Sequence, residues 1–158
     1  MSVAFLSSHQ SSPNLSLRDA LERFRADAGI DGKFAAAGPD SRDLLDKHDV
    51  IHVLFGLDTS IRQEAMADFW TLFGTDAKFA DLRKYFDLPE QQELVDEFGW
   101  PKLAALTFAS LPQAVRIAIR ARKLKRKWPW NEYHRYLDVP VTDIRREFGI
   151  DLVEARPA

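Results

Sequence analysis

The chain has 158 residues, 46% of them hydrophobic, and a formal net charge of -2. This length and composition allow one substantial hydrophobic core and argue against two domains. The chain has no cysteine, which excludes disulfides and thiolate ligands and fits a reducing cytoplasm. Any metal bound by its side chains would therefore have nitrogen and oxygen ligands.

The sequence shows no sign of secretion or of a membrane-spanning helix. No basic residue precedes Arg18, and Met1 to Leu6 is too short an apolar run for the core of a signal peptide. The longest uncharged run, Leu103 to Val115, is shorter than the ~20 residues that cross a bilayer. We therefore expect a cytoplasmic protein without a signal peptide or transmembrane segment, soluble or peripheral on the inner face of the membrane.

Three parts are predicted along the chain: a loose N-terminal arm (residues 1–15), an all-helical domain (residues 16–150) and a C-terminal tail (residues 151–158). The domain opens with Ser16, which can cap a helix from Leu17 to Ala28, and Gly29 is expected to end that helix. Apolar residues recur at helical spacing through the rest of the domain. The predicted fold is a single-domain, all-α helical bundle.

The next predicted element is a helical hairpin. A helix is expected from Ser41 to Phe55, with Gly56 as its end and Asp58 or Thr59 as the cap of a second helix. The second helix is predicted from Ser60 to Phe73. Because the connection is short, we expect the two helices to be antiparallel. The expected inner face of the second helix carries Ile61, Ala65, Phe69 and Phe73.

The hairpin carries a candidate metal site. On a helix that turns about 100° per residue, His48, Asp49 and His52 fall within an arc of about 100°. Glu64, early in the returning helix, is expected to lie level with the histidines. His48 and His52 also share the core-facing stripe with Ile51. We therefore predict that His48, Asp49, His52 and Glu64 bind one divalent metal ion.

The alternative is a buried pair of histidines whose hydrogen bonds are satisfied by Asp49 and Glu64 without any metal. We favour the metal because imidazole and carboxylate are a usual mixed ligand set for zinc, iron or manganese. Zinc is the first candidate, with iron and manganese as the others.

The remainder of the chain is predicted to add further helices and a basic surface. Between Phe98 and Asn131 there are 8 basic residues and no acidic residue. The part from Arg116 to Trp130 ends in two tryptophans, which suits an anionic membrane surface. Pairing with the acidic first half of the chain is an equal alternative, and nucleic acid binding is not expected. The predicted helices are 76–86, 89–99, 101–110, 113–127, 131–137 and 141–148.

The motif His48-Asp49-x-x-His52 followed by eleven residues and Glu64 resembles the HDxxH-x11-E signature of the Coq-four family of ubiquinone biosynthesis proteins. The resemblance is clearest from about Ser41 to Phe73 and returns more weakly from Trp130 to Ile150. It implies an all-helical metalloprotein associated with membranes and prenylated ligands. The chain departs from the family pattern at Gln63, where a small residue often precedes the glutamate.

The resemblance implies removal of the C1 carboxyl group from a polyprenylated hydroxybenzoate precursor of ubiquinone. With a redox-active metal and oxygen this decarboxylation can be coupled to hydroxylation, whereas with zinc any oxidant comes from elsewhere. The second hypothesis is a metal-stabilised, non-catalytic scaffold that binds a prenyl lipid and organises other ubiquinone biosynthesis proteins. A metal-dependent phosphohydrolase is a weaker third, since only His9 and His134 remain as further histidines. Whether the chain forms a homo-oligomer stays open.

Overall fold

The computed structural model describes residues 15–30, 38–78 and 108–152, together with isolated positions between them. The N-terminal arm, most of the tail and the predicted helices 76–86, 89–99 and 101–110 lie largely or wholly outside the described residues. The described part is all-α, as predicted. Its helices are α1 (Leu17–Ala28), α2 (Pro39–Phe55), α3 (Ile61–Gly74), α4 (Leu111–Ala121), a 3₁₀ helix (Trp130–Tyr136) and α5 (Val141–Phe148).

Local signals in the sequence define the ends of α1 and α5 as predicted. The Ser16 hydroxyl accepts a hydrogen bond from the backbone N–H of Asp19, and Gly29 ends α1 at φ +68°. Gly149 ends α5 in the same left-handed conformation, at φ +72°. Glycine adopts this backbone region without a steric penalty because it has no Cβ atom. These helix bounds could therefore be predicted from short stretches of sequence.

The hairpin helices begin at different residues from those predicted. Pro39 opens α2, with Gly38 as its N-cap, so Ser41 lies inside the first turn. Proline is favoured there because the first N–H groups of a helix have no partner within it. Ser60 is the N-cap of α3, and Asp58 instead accepts a hydrogen bond from the Ser60 N–H at 2.9 Å. The predicted end of α2 at Gly56 is confirmed, at φ +67°.

Helix α2 is the central element. It packs against α1, α3, the 3₁₀ helix and α5, while α4 packs on α3. Its residues Val50, Ile51 and Leu54 are fully buried, together with Phe24 of α1 and Ile144 of α5. Burying an aliphatic or aromatic side chain of this size contributes about 1.5–3 kcal/mol to stability. The helix that carries both predicted ligand histidines is therefore held from several sides.

The C-terminal helix is attached directly to the end of α2. Arg145 of α5 donates hydrogen bonds to the backbone carbonyls of Val53 and Leu54, at 2.7 and 2.9 Å. These carbonyls have no partner within the helix, and a positive charge at a helix C-terminus is favourable. Burial lowers the pKa of Arg145 to about 10, so this side chain remains charged at neutral pH. It therefore caps α2 with a charge-assisted hydrogen bond.

The inner face of α3 matches the predicted stripe only in part, since Phe69 and Phe73 pack against the core. Its buried residues are Ala67, Trp70, Thr71 and Gly74, whereas Ile61 is 46% exposed. Helix α3 lies between α2 and α4, so its buried face is set by two neighbours rather than by one. The Phe55 ring of α2 stacks on Trp70 at 4.0 Å between centroids. These two rings are therefore part of the hydrophobic core.

The segment after α4 also corrects a prediction. Trp128 and Trp130, expected at a membrane surface, are each 1% exposed and belong to the core. The Trp128 ring packs on Phe148 at 5.0 Å, and its backbone pairs with Gly74 and Asp76 at the end of α3. Helix α4 ends at Ala121, earlier than the predicted Lys127. Among the described helices, none combines the length and apolar character needed to cross a bilayer.

Candidate metal centre

Three of the four predicted ligands meet at one point between α2 and α3. His48 and His52 lie one turn apart on α2, and their Nε2 atoms are 3.0 Å apart. The Glu64 carboxylate of α3 places Oε2 at 3.0 Å from His48 Nε2 and 3.4 Å from His52 Nε2. Both histidines are buried and Glu64 is partly exposed. These residues form a group that could hold a metal ion.

No arrangement of single protons gives each of the three atom pairs its own hydrogen bond. A Glu64 carboxylate only accepts, so it needs a proton on Nε2 of each histidine, and the two N–H groups would then face each other at 3.0 Å. If either Nε2 lacks a proton, its lone pair faces the carboxylate oxygen instead. A cation between the three atoms interacts favourably with all of their lone pairs at once. The geometry therefore fits a cation better than a hydrogen-bonded pair of histidines.

The second nitrogen of His52 is in an apolar setting. Its ring stacks on Phe24 with centroids 5.2 Å apart. His52 Nδ1 is buried and has no hydrogen-bond partner within the described part of the chain. A ligand histidine usually donates this second N–H to a carboxylate or carbonyl. Here the Phe24 ring holds the imidazole in place by packing instead.

The charges of Glu64 and His48 are strongly linked. Burial alone would lower the pKa of His48, but the hydrogen bond to Glu64 and its negative charge outweigh burial, so the pKa of His48 is raised. Burial opposes ionisation of Glu64 as well, yet hydrogen bonds to both histidines hold the pKa of Glu64 well below its usual range. Glu64 is therefore an anion at neutral pH, as a metal ligand must be.

Asp49, the fourth predicted ligand, does not join the group. Its Oδ2 accepts a hydrogen bond from Arg25 Nε of α1 at 2.7 Å, and Arg25 also contacts Asp46 at 2.5 Å. Asp49 is one residue from His48, so its side chain leaves α2 about 100° away, toward α1. The buried guanidinium needs an anionic partner there. The structure thus places Asp49 in a buried ion pair that positions α2, not among the candidate ligand atoms.

Asp68 lies near the centre although the sequence analysis did not single it out. It follows Glu64 by one turn of α3, and its electrostatic partners are His48, Glu64 and His52. Burial, with a further contribution from Glu64, raises the pKa of Asp68 to about 6 despite the nearby histidines. The Glu64-x-x-x-Asp68 spacing is the signal that could have identified it. It gives the site a second carboxylate.

The remaining predicted functional residues lie elsewhere. His134 is exposed on the 3₁₀ helix, and His9 lies outside the described residues. In the basic segment, Arg126 pairs with Glu147 of α5, and Arg120 donates to the backbone carbonyl of Asp151. The basic residues that do have partners among the described residues therefore contact the C-terminal part, not the acidic first half.

The comparisons with known proteins identify no relative. Neither the protein-family models, nor the curated proteins, nor the solved structures contain a match to this chain.

Proposed function

We propose that this chain binds a divalent metal ion at His48, His52 and Glu64, with zinc as the first candidate and iron or manganese as the others. The observation that carries the proposal is the convergence of three ligand atoms at 3.0, 3.0 and 3.4 Å. Two ligands of a tetrahedral zinc ion, each at ~2.0–2.1 Å from the metal, are about 3.3 Å apart. The observed separations are close to this value, which supports one shared cation.

The number of protein ligands favours a catalytic site. Structural zinc sites usually have four protein ligands, while catalytic sites have three and keep a position open for water or substrate. Because Asp49 is paired with Arg25, the described residues supply three ligand atoms close enough to share one ion. This supports the enzyme hypothesis over the non-catalytic scaffold, because four protein ligands would leave a tetrahedral zinc ion no open position.

We infer the reaction from the resemblance to the Coq-four family: removal of the C1 carboxyl group, as carbon dioxide, from a polyprenylated hydroxybenzoate during ubiquinone biosynthesis, with a proton replacing the carboxyl group on C1. When bound, the metal supplies Lewis-acid stabilisation of the charge that develops on substrate oxygen. His48, His52 and Glu64 would hold it, while Phe24 and the Arg25–Asp49 pair fix the rotation of α2. The alternative remains a scaffold that binds a prenyl lipid and other ubiquinone biosynthesis proteins.

We also propose that α4 attaches the protein to anionic membranes. Leu111, Val115 and Ile119 lie four residues apart and are 48%, 59% and 52% exposed, forming an outward apolar stripe. An apolar stripe beside unpaired positive charge is typical of helices that lie at an anionic lipid surface. Within the part that the structure describes, four basic residues of this segment have neither an ion pair nor a side-chain hydrogen bond: Arg116, Arg122, Lys123 and Lys127.

The test combines metal analysis with a reaction assay. The purified chain is analysed for zinc, iron and manganese, and then incubated with a prenylated hydroxybenzoate that carries labelled carbon in the C1 carboxyl group. We expect about one metal ion per chain and release of labelled carbon dioxide, both lost in His52→Ala and kept in the exposed-site control His134→Ala. A metal-loaded protein that binds the precursor without releasing carbon dioxide would favour the scaffold. A chain without metal would contradict the site.

A further inference from the structure

Asp68 differs from four other aspartates of the hairpin that the structure describes. Asp43 pairs with Lys47, Asp46 and Asp49 pair with Arg25, and Asp58 accepts from the Ser60 N–H. Asp68, which is only partly exposed, has no hydrogen bond or ion pair within the described residues. A partly buried carboxylate that has no hydrogen bond costs stability. Its position therefore calls for an explanation from function.

The location of Asp68 supplies one. It lies one turn from Glu64 on the same face of α3, and the groups that act on it electrostatically are His48, Glu64 and His52. Asp68 is nevertheless not among the ligand atoms that lie within 4.8 Å of one another. It is thus a neighbour of the candidate centre rather than a fourth member of the ligand set.

The net charge of a metal-loaded centre indicates what effect Asp68 would have on its ligands. A divalent ion with two neutral imidazoles and the Glu64 carboxylate has one remaining positive charge. The Asp68 carboxylate balances that charge without occupying a ligand position. An anion entering the open position would then leave the partly buried site with a net negative charge next to Asp68, whereas a neutral ligand would not.

We propose that Asp68 sets the ligand preference of the centre, disfavouring anions and accepting a hydrogen bond from an O–H group at the open position. This inference rests on the proposed metal site and deepens the proposed function. A hydroxybenzoate would present its phenolic hydroxyl to the metal, with the O–H donating to Asp68, and its carboxylate would point away. Asp68 is a specificity-determining residue in this arrangement.

The experiment uses the full-length protein loaded with Co²⁺, whose visible absorption changes when a ligand enters its coordination. Acetate and phenol are titrated separately into the wild type, Asp68→Asn and Asp138→Asn. Asp138 is a suitable control because its side chain is 85% exposed and the substitution removes the same charge. We expect Asp68→Asn to bind acetate at least ~10-fold more tightly and phenol more weakly, with Asp138→Asn unchanged.

The outcomes separate this inference from the function on which it rests. Equal acetate affinity in the wild type and Asp68→Asn, both loaded with Co²⁺, would overturn the role of Asp68 and leave the metal site intact. A wild-type protein that takes up no Co²⁺ would overturn both. If Asp68→Asn does not fold by circular dichroism, Asp68→Ala serves instead, since alanine favours helix, and the same gain in acetate affinity is expected.

Discussion

Arg25 Nε of α1 lies 2.7 Å from Asp49 Oδ2 of α2, so the aspartate that directly follows His48 is occupied by another helix. This pair separates two roles within the His48-Asp49 dipeptide. The histidine faces α3 and the candidate metal centre, while the aspartate faces α1. Substitutions at the two positions should therefore have different consequences.

For Asp49→Ala we expect a large loss of stability and an unchanged number of metal ions bound per folded chain. Removing one partner of a buried ion pair leaves an uncompensated charge and costs about 3–5 kcal/mol. Here the second contact of Arg25, with Asp46, keeps the cost near the lower end of that range. Urea unfolding and metal analysis of the folded fraction check the two parts. If folded Asp49→Ala loses as much metal as His52→Ala does, Asp49 is a metal ligand.

His52→Ala should remove most of the bound metal. His52 is one of three ligands, so its loss should weaken metal affinity by more than the ~10–100-fold typical of outer-shell partners. The stabilising effect of the metal on thermal unfolding should disappear with it. Competition with a chromophoric chelator measures the affinity, and His134→Ala provides the matched control. If His52→Ala keeps the metal affinity of the wild type, the metal is not bound by His48, His52 and Glu64.

Glu64→Gln should preserve the fold and weaken metal binding. The amide keeps the shape of the side chain and loses the negative charge that offsets the cation, which is the ionised form in which carboxylates bind metals. We expect at least a ~10-fold loss of affinity. Gln63→Glu is a useful comparison, because it adds a carboxylate one residue earlier on α3. Equal affinity of the wild type and Glu64→Gln would show that Glu64 is not a ligand.

The response to pH should differ between the metal-free and metal-loaded proteins. The pKa of His48 is raised in the folded state, because Glu64 outweighs burial, so the stabilisation from this pair is complete below about pH 6.5 and is lost as pH rises through the raised pKa. The metal requires a neutral imidazole, so its stabilisation grows over the same interval. Glu64 remains ionised throughout, since its pKa is lowered.

Thermal unfolding at about pH 6, 7 and 8, with and without metal, measures this difference. We expect the metal-free Tm to fall with pH and the metal-induced rise in Tm to increase. His48→Asn removes the group that titrates and should flatten the metal-free profile between about pH 6.5 and 8. A metal-induced shift that is constant across this range would argue against His48 as a ligand.

Cosedimentation with lipid vesicles tests the surface of α4. Binding to anionic vesicles should be reversible and weakened by salt, because screening acts over roughly 8–10 Å at physiological ionic strength. Replacing Arg122 and Lys123 by glutamine should weaken binding about 10- to 30-fold, since each basic residue contributes ~1 kcal/mol. The matched control replaces Arg135 and Arg146, which pair with Glu132 and Asp143. Equally strong binding at low and high salt, and to anionic and neutral vesicles, would contradict the proposal.

The residues that were predicted correctly are those whose behaviour depends on their immediate neighbours in the chain. Ser16, Gly29, Gly56 and Gly149 end or cap helices through bonds to residues a few positions away. The i, i+4 spacing of His48 and His52 likewise guarantees a common face. These features required no knowledge of which helices meet.

The errors arose where a distant partner decides the outcome. Asp49 is directed by Arg25, 24 residues earlier, and a pattern on α2 alone contains no information about that contact. Trp128 and Trp130 were expected at the surface beside a basic run, but both are buried, and Trp128 contacts Gly74 of α3 and Phe148 of α5. The burial of Trp70 in place of Ile61 has the same origin, because the packing of α3 against both α2 and α4 determines its buried face.

The hydrogen bonds from Arg145 to Val53 and Leu54 affect when the centre can form during synthesis. The residue that caps the end of α2 lies 92 positions after Val53 in the chain. At ~5–20 residues per second, a ribosome needs roughly 5–20 seconds to add those residues after His52 and Val53 have been made. Until then the carbonyls of Val53 and Leu54, in the last turn of α2, lack their hydrogen bonds to Arg145. We therefore expect the candidate centre to become fully ordered, and able to bind a metal, only after Arg145 has been synthesised.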